Sequence, residues 1–380
     1  EYVLSLKERI GTKPRTIERY EQLLDRINPV IGHLKLVDIR PQHLNNLYIL
    51  LSERGSRINS QKAVLRTEWE SPMSQRKLSE LSGVSTSTIS SMIKGNRISL
   101  SVAESISDAL GTSITKLFTI ETNTEPLSNK TVLEHHRLIS TILSQAEKEM
   151  LVPYNAAARA TPPRVMRKEA TSFQPDEIQA IWDALDQEPL KWKTATHLLL
   201  VSGCRRGEIV GLKWDRIDWK NNQIKIDRSL LYSGAKGIYE DTTKTNTIRY
   251  IKLPIETMQL LREYRKWYGE LQLLNGNRWH NSGYLFVKDD GSPMHPDSLT
   301  DWLKKFSQRH GLPHIHPHKF RHTMASLLFF NGVDSVTISK RLGHAKVSTT
   351  ADIYSHIIEQ ADERASECIA DAILRNPETK

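Results

Sequence analysis

Apolar residues recur at three- and four-residue spacing through most of the chain, and strict alternation is confined to one stretch of its second half. Residues 1–55 read as helical. Ile17, Tyr20, Leu23, Leu24 and Ile27 share one stripe of a helix opened by Pro14, residues 29–34 break it, and Pro41 starts another helix bearing Leu44, Leu47 and Leu51. Residues 131–148 continue this character, with Leu138, Ile142, Leu143 and Ala146 on the apolar face. Further on, residues 173–185 predict a helix and residues 197–201 a helix of buried type. Residues 223–231 and 247–253 alternate and predict two strands of an antiparallel sheet. Everything after Pro296 reads as helical. The expected fold is mainly α with a small antiparallel β-sheet, an α+β class.

Residues 71–118 form a self-contained pattern. A helix with Leu78 and Leu81 runs into Gly83, and a second helix, with Ile89, Met92 and Ile93, follows the N-cap candidate Ser85. Further helices are expected over 102–110 and 114–118. This segment resembles the helix-turn-helix domain of Cro-like repressors. The resemblance implies DNA contact through Gln75, Ser85, Thr86, Ser87, Thr88 and Lys94, whose short polar donors suit base edges or phosphates. A protein-interaction role is the alternative, because the second helix carries little charge. Residues 122–129, rich in Ser, Thr, Asn and Pro, read as a linker. Residues 156–171 read as a second one, an extended basic strap in which Arg164, Arg167 and Lys168 suit phosphate.

Composition narrows the classes. With 380 residues there is room for two to four domains, and 38% hydrophobic against 26% charged residues is an ordinary soluble balance. No apolar run approaches the ~18–20 residues that span a bilayer, and no secretory leader pattern opens the chain, so a cytoplasmic, nucleoid-associated protein is expected with no membrane partner. The chain begins at Glu1 rather than Met, which reads as a fragment or processed chain in which an N-terminal module could be missing. A net charge of +9 favours a polyanionic partner. Two cysteines, Cys204 and Cys368, are too few for a disulfide framework or a cysteine zinc site. His314, His316, His318 and His322 are dense, but no Cys or acidic ligand joins them at a zinc spacing, so no metal is expected and His316 and His322 read as packing or phosphate contacts.

Four signals follow in order. They are Ser202-Gly203-Cys204-Arg205-Arg206-Gly207-Glu208, then Thr243-Lys244-Thr245 in the turn between the two predicted strands, then His318-Lys319-Phe320-Arg321-His322, and finally Leu342-Gly343-His344 with Tyr354 ten residues on. In this order and spacing they resemble the catalytic domain of the tyrosine recombinases, over residues 171–360. The resemblance is to integrases of phages and integrative conjugative elements. Two guanidiniums, Arg205 and Arg321, offer rigid charged forks to the oxygens of a phosphodiester. Tyr354 would attack phosphorus, with His318 as proton acceptor or hydrogen-bond partner, because a phenol of pKa near 10 is scarcely ionised at neutral pH. By resemblance Lys244 protonates the leaving 5′ oxygen and His344 donates to the phosphate. Glu208, one turn after Arg205, orients the arginines. No cofactor is required.

Upstream, residues 14–51 and 131–163 resemble the core-binding domain of the same enzymes, with the repressor-like segment inserted between its halves. The implied domains are a split helical core-binding domain (1–56 and 123–160), an inserted helix-turn-helix (70–120), a basic linker (161–171) and a catalytic domain (172–380) ending in a helix with Ile357, Ala361, Ala365 and Ile369 on one face. The resemblance further implies double-stranded DNA as partner, a homotetramer on DNA exchanging that terminal helix between protomers, a 3′-phosphotyrosine intermediate, integration and excision of a mobile element, and DNA-bending accessory proteins. A type IB topoisomerase and a regulator without catalysis are the competing readings.

Overall fold

The computed structural model describes residues 1–53, 61–66, 72–122, 125–166, 171–244 and 246–348. The chain divides into two compact units, residues 1–167 and 168–380. No helix among the described residues is long and apolar enough to cross a membrane.

The first unit holds two hydrophobic cores. Helix α1 (Tyr2–Arg9) buries none of its residues, whereas α2 (Pro14–Ile31), α3 (Pro41–Ser52) and, far along the chain, a long helix over residues 129–148 build one of these cores. Leu23, Ile27, Leu44, Leu47, Val132, Leu138 and Leu143 are buried there. Pro29 does not break α2 as the sequence suggested; it sits inside the helix, which ends two residues later at Ile31, before Gly32. The proline costs a backbone bond, but Ile27 and Ile31 on either side of it are both buried, and that anchors the last turn.

Between these helices lies the insert: β1 (Gln61–Leu65), α4 (Gln75–Ser82), α5 (Thr86–Ile93), β2 (Ile98–Ser99), α6 (Leu100–Ala109), α7 (Ile114–Leu117) and β3 (Phe118–Thr122). Gly83 ends α4 in the left-handed region (φ 69°), and Ser85 Oγ accepts from Thr88 N at 3.2 Å to cap α5. Leu78, Ile89 and Met92 are buried in a separate core, while Leu81 and Ile93, also counted on the apolar stripes, are exposed. The three-stranded antiparallel sheet β2-β1-β3 was not expected. It pairs Gln61 with Thr122, so the insert leaves and re-enters the chain at one place. The presumed linker at 122–129 is correspondingly shorter, since Thr122 belongs to β3 and α8 (Asn129–Lys148) begins behind the cap of Ser128. The second linker is shorter too. Residues 156–159 form a 3-10 turn whose Ala156 and Ala157 are buried against the helical core.

In the second unit the order is α9 (Pro175–Leu185), α10 (Leu190–Ser202), α11 (Arg206–Val210), β4 (Ile217–Asp218), β5 (Gln223–Ile226), β6 (Arg228–Ser233), β7 (Gly237–Thr242), β8 (Arg249–Lys252), α12 (Ile255–Asn275), α13 (Ser298–Arg309), α14 (Pro317–Phe330) and α15 (Ser335–Leu342). A large core, with Leu199, Ile224, Tyr264, Phe286, Phe306 and Phe320, joins helices and sheet, and a smaller cluster of Met324, Ala325, Ile338 and Leu342 packs α15 on α14. The alternating run 223–231 is two strands rather than one. Asp227 divides it, its carboxylate taken by Arg216 (3.0 Å), and β5 joins the sheet β4-β5-β8 while β6 pairs with β7. Trp182 and Trp214 pack against the core, and Trp302 stacks on Trp192 at 5.1 Å, as packing residues.

Candidate active site

The site is built where α10, α11, α14, α15 and β8 end or begin. Gly203 terminates α10 with φ 64°, and a Cβ there would lie 1.9 Å from Met324 Cε, so the chain turns tightly over α14. Arg205 is then the residue that precedes α11. Its backbone N–H donates to Glu208 Oε2 at 2.8 Å, which caps the short helix, and its Nη1 donates to Glu208 Oε1 at 3.0 Å. Helix α14 starts with Pro317 behind His316, whose Nδ1 accepts from Lys319 N (3.2 Å). His318 and Arg321 therefore come from its first turns. Arg321 is buried and donates to Gly203 O and Leu342 O, each at 2.7 Å. Helix α15 stops at Gly343 (φ 66°), whose carbonyl accepts from Arg205 Nη2 at 3.2 Å, and His344 follows at once. Arg205, Glu208, His318, Arg321 and His344, separated by up to 139 positions in the chain, thus share one cluster.

Its electrostatics suit an anion. Burial, then repulsion from Arg205, pushes Arg321 down to about 10, still well above neutral pH. Burial and the neighbouring Arg321 and Arg205 hold His344 at about 4; burial, His318 and Arg321 hold His322 at about 4. His318, still open to solvent on one side, is pushed down by the atoms packed round it and then by Arg321. These rings are neutral at pH 7, so each has one N–H to give and one lone pair to accept with. Burial by itself would raise the Glu208 carboxyl, but the guanidiniums around it outweigh burial and hold it below the usual carboxylate range.

One of those guanidiniums is absent from the sequence-derived set. Arg249, on β8, donates to Glu208 Oε2 (2.6 Å) and Oε1 (3.2 Å) and to Arg341 O (3.0 Å). The signal was present: in the alternation Arg249, Ile251, Leu253 an arginine occupies an inward position, where a charge requires a buried partner.

Lys244 is not in the cluster. It stands exposed on the turn from β7 to β8, whose backbone is fixed by Asn246 N–H donating to Thr243 O (3.1 Å). The turn joins β8 to β7, a strand the sequence reading did not include and which lies in a different sheet, while β5 and β8, from the two predicted runs, pair antiparallel as expected. Tyr354, Arg167, Lys168 and the proposed terminal helix lie outside the described residues. In the insert Gln75, Ser85, Thr86, Ser87 and Lys94 are exposed and Thr88 half-buried; Ser85 Oγ is occupied by its cap and by Thr88 Oγ1 (2.8 Å), leaving Thr86 as the freer donor. Arg164 is exposed, and its carbonyl accepts from Asn129 (3.0 Å). Among the described residues no group of His, Cys, Asp and Glu could hold a metal ion.

Residues 171–361, half of the chain, match the phage integrase family. The chain belongs to this family. As a phage integrase family member it is a tyrosine-type site-specific DNA recombinase, and it carries two further matches: residues 72–117 to a helix-turn-helix and residues 3–50 to the N-terminal SAM-like domain of phage integrases. It is 31% identical over 266 residues to a XerC-like tyrosine recombinase of Caldanaerobacter subterraneus, covering 65% of this chain and 67% of the relative. It is 27% identical over 247 residues to the ICEBs1 integrase of Bacillus subtilis, with the same coverage. In fold the recombinase is similar to the Tn1549 transposon integrase solved with transposon right end DNA (TM-score 0.52, 21% identity, 63% of this chain and 80% of that one). It is also similar to a lambda integrase dimer bound to a core site (TM-score 0.56, 13% identity, 93% and 94%).

Proposed function

We propose that this recombinase cuts and rejoins double-stranded DNA through a 3′-phosphotyrosine intermediate on Tyr354, in a tetrameric synapse that integrates and excises a mobile element. What carries the reading is the cationic cluster: Arg205 and Arg321 fixed side by side by backbone carbonyls, with neutral histidines round them. In this scheme the Tyr354 phenol attacks phosphorus, the P–O5′ bond breaks, and the 3′ phosphate stays on the tyrosine. His318 takes the phenol proton or hydrogen-bonds to it. Lys244, on its exposed turn, gives a proton to the departing 5′ oxygen. Arg205 and Arg321 stabilise charge developing on the non-bridging oxygens, and His344 donates there as well. The ester conserves the bond energy, so a 5′ hydroxyl from another strand reverses the step and completes exchange.

The helical domain split over 1–56 and 123–160 grips the core site, the strap at 161–171 tracks the backbone through Arg164, Arg167 and Lys168, and the catalytic domain spans 172–380. The insert at 70–120 reads additional sequence through Gln75, the α5 face and Lys94. The deciding experiment is covalent capture. The full chain is mixed with nicked suicide duplexes representing candidate junction sequences, and adducts are resolved on a denaturing gel. An adduct formed by the wild-type chain and missing with Tyr354→Phe supports the scheme; tight binding of the same duplexes with no adduct defeats it.

A further inference from the structure

At the end of α15 three successive carbonyls each take a different guanidinium. Arg341 O accepts from Arg249 Nε at 3.0 Å, Leu342 O from Arg321 Nη2 at 2.7 Å, and Gly343 O from Arg205 Nη2 at 3.2 Å. The last carbonyls of a helix have no partners within it and carry the negative end of its dipole, so they suit cations. Two of these arginines belong to the phosphate clamp. The third does not reach outward: its side chain is 7% exposed, and Nε, Nη1 and Nη2 are all engaged with Arg341 O and Glu208.

We propose that Arg249 is a positioning residue for strand cleavage, which from behind Glu208 fixes that carboxylate and the 341–343 turn in the arrangement that aims Arg205 and Arg321. The inference rests on the cleavage reading above. Glu208 is the intermediary, because its two oxygens are divided between Arg249 and both the backbone and the guanidinium of Arg205. The ionisable groups that bear on it are Arg205 and Cys204 beside α11, Arg249 from β8 and Arg321 from α14. From β6 the neighbours of Gly207 are Ser229, Leu230 and Leu231, none of them ionisable, and Asp297 beside α13 is paired with Arg206. Take Arg249 away and burial becomes the stronger influence, so Glu208 accepts a proton nearer neutral pH. A protonated Glu208 holds Arg205 less firmly.

The test uses the full chain as wild type, Arg249→Lys, Arg249→Met, and Arg249→Met combined with Glu208→Gln. Single-turnover adduct formation on the captured suicide duplex, the Kd for that duplex and the melting temperature are measured between about pH 5 and 8. Arg249→Met is expected to leave Kd unchanged while its cleavage rate falls about tenfold per pH unit on the acid side of the new Glu208 titration. Adding Glu208→Gln removes that acid limb. Arg249→Lys keeps the wild-type pH profile but cleaves more slowly, since three donors on one compact nitrogen cannot span Arg341 O and both Glu208 oxygens as the planar guanidinium does. The melting deficit of Arg249→Met widens as pH rises, because its folded state then binds the Glu208 proton more tightly than the unfolded chain does. Losses of rate and melting temperature that do not vary with pH, or an Arg249→Lys variant as fast as wild type, overturn the inference. If Arg249→Met does not fold, the lysine variant decides. A wild-type chain that forms no adduct overturns the cleavage reading and this inference together.

Discussion

A methyl group placed on Gly207 would lie 2.5 Å from Ser229 Oγ and 2.9 Å from the backbone oxygen of Leu230, so α11 can rest on β6 only through a glycine there. Gly207→Ala is expected to cost about 1–3 kcal/mol as the helix is pushed off the strand. Because the same five-residue helix holds Glu208 and is capped by Arg205, cleavage should fall further than stability alone explains. Urea titration and the adduct assay on one preparation check both halves, and a Gly207→Ala chain as stable as wild type would refute the packing argument. At this scale much of the candidate cluster was legible. Arg205, His318, Arg321 and His344 lie in motifs whose spacing survives translation into sequence, and the structure brings them together. Arg249 was legible only in part: the alternation marks it as inward, but that its partner is Glu208 appears only once β8 is seen to run beneath that carboxylate.

Among elements, α14 and α15 set the proton behaviour of the site. His322 on α14 and His344 after α15 are held at about 4, below the 6.5 of an exposed imidazole, by burial first and then by neighbouring positive charge. In this direction the unfolded chain binds protons more readily than the folded one. Their contribution to stability is intact above pH 6.5 and is lost as pH falls from 6.5 toward 4. The melting temperature should drop across that window, and millimolar phosphate, as a stand-in anion, should lessen the drop by favouring the protonated rings. A melting temperature flat between these pH values would contradict the burial assigned to both histidines. In the insert, Ser85→Ala removes the α5 cap and should destabilise the segment by about 1 kcal/mol, readable by hydrogen exchange at the α5 amides. The caps at Ser85 and the turn at Gly83 could be read directly from sequence, because each is a local choice of one residue type.

For the molecule as a whole the insert is the unusual feature. Among the described residues, its buried side chains form their own core and none belongs to the core of α2, α3 and α8. β1 and β3 return the chain to its point of departure, with Gln61 and Thr122 as ladder partners about 5 Å apart. Replacing residues 61–122 by a short Gly-Ser link should therefore leave the helical core folded and the Tyr354 adduct intact on a minimal duplex. Binding to longer duplexes should weaken if the insert reads flanking sequence. Loss of the adduct on the minimal duplex would instead tie the insert to the architecture of the core. The +9 charge predicts that binding by either version weakens steeply with salt, as phosphate contacts release counterions.

The sequence by itself determined the helical character, the turn and cap chemistry of the insert and the motifs that supply the candidate cluster, because periodicity, glycine and capping residues act over a few neighbours in the chain. The tertiary structure alone decided which strands pair, that residues 223–231 divide between two sheets, and that the insert is closed by a ladder of strands 57 positions apart. It alone placed Arg249 against Glu208 and set three guanidiniums on three successive carbonyls. Those features are pairings between distant segments, and a buried charge or a strand edge declares its partner only when the chain has brought the two together.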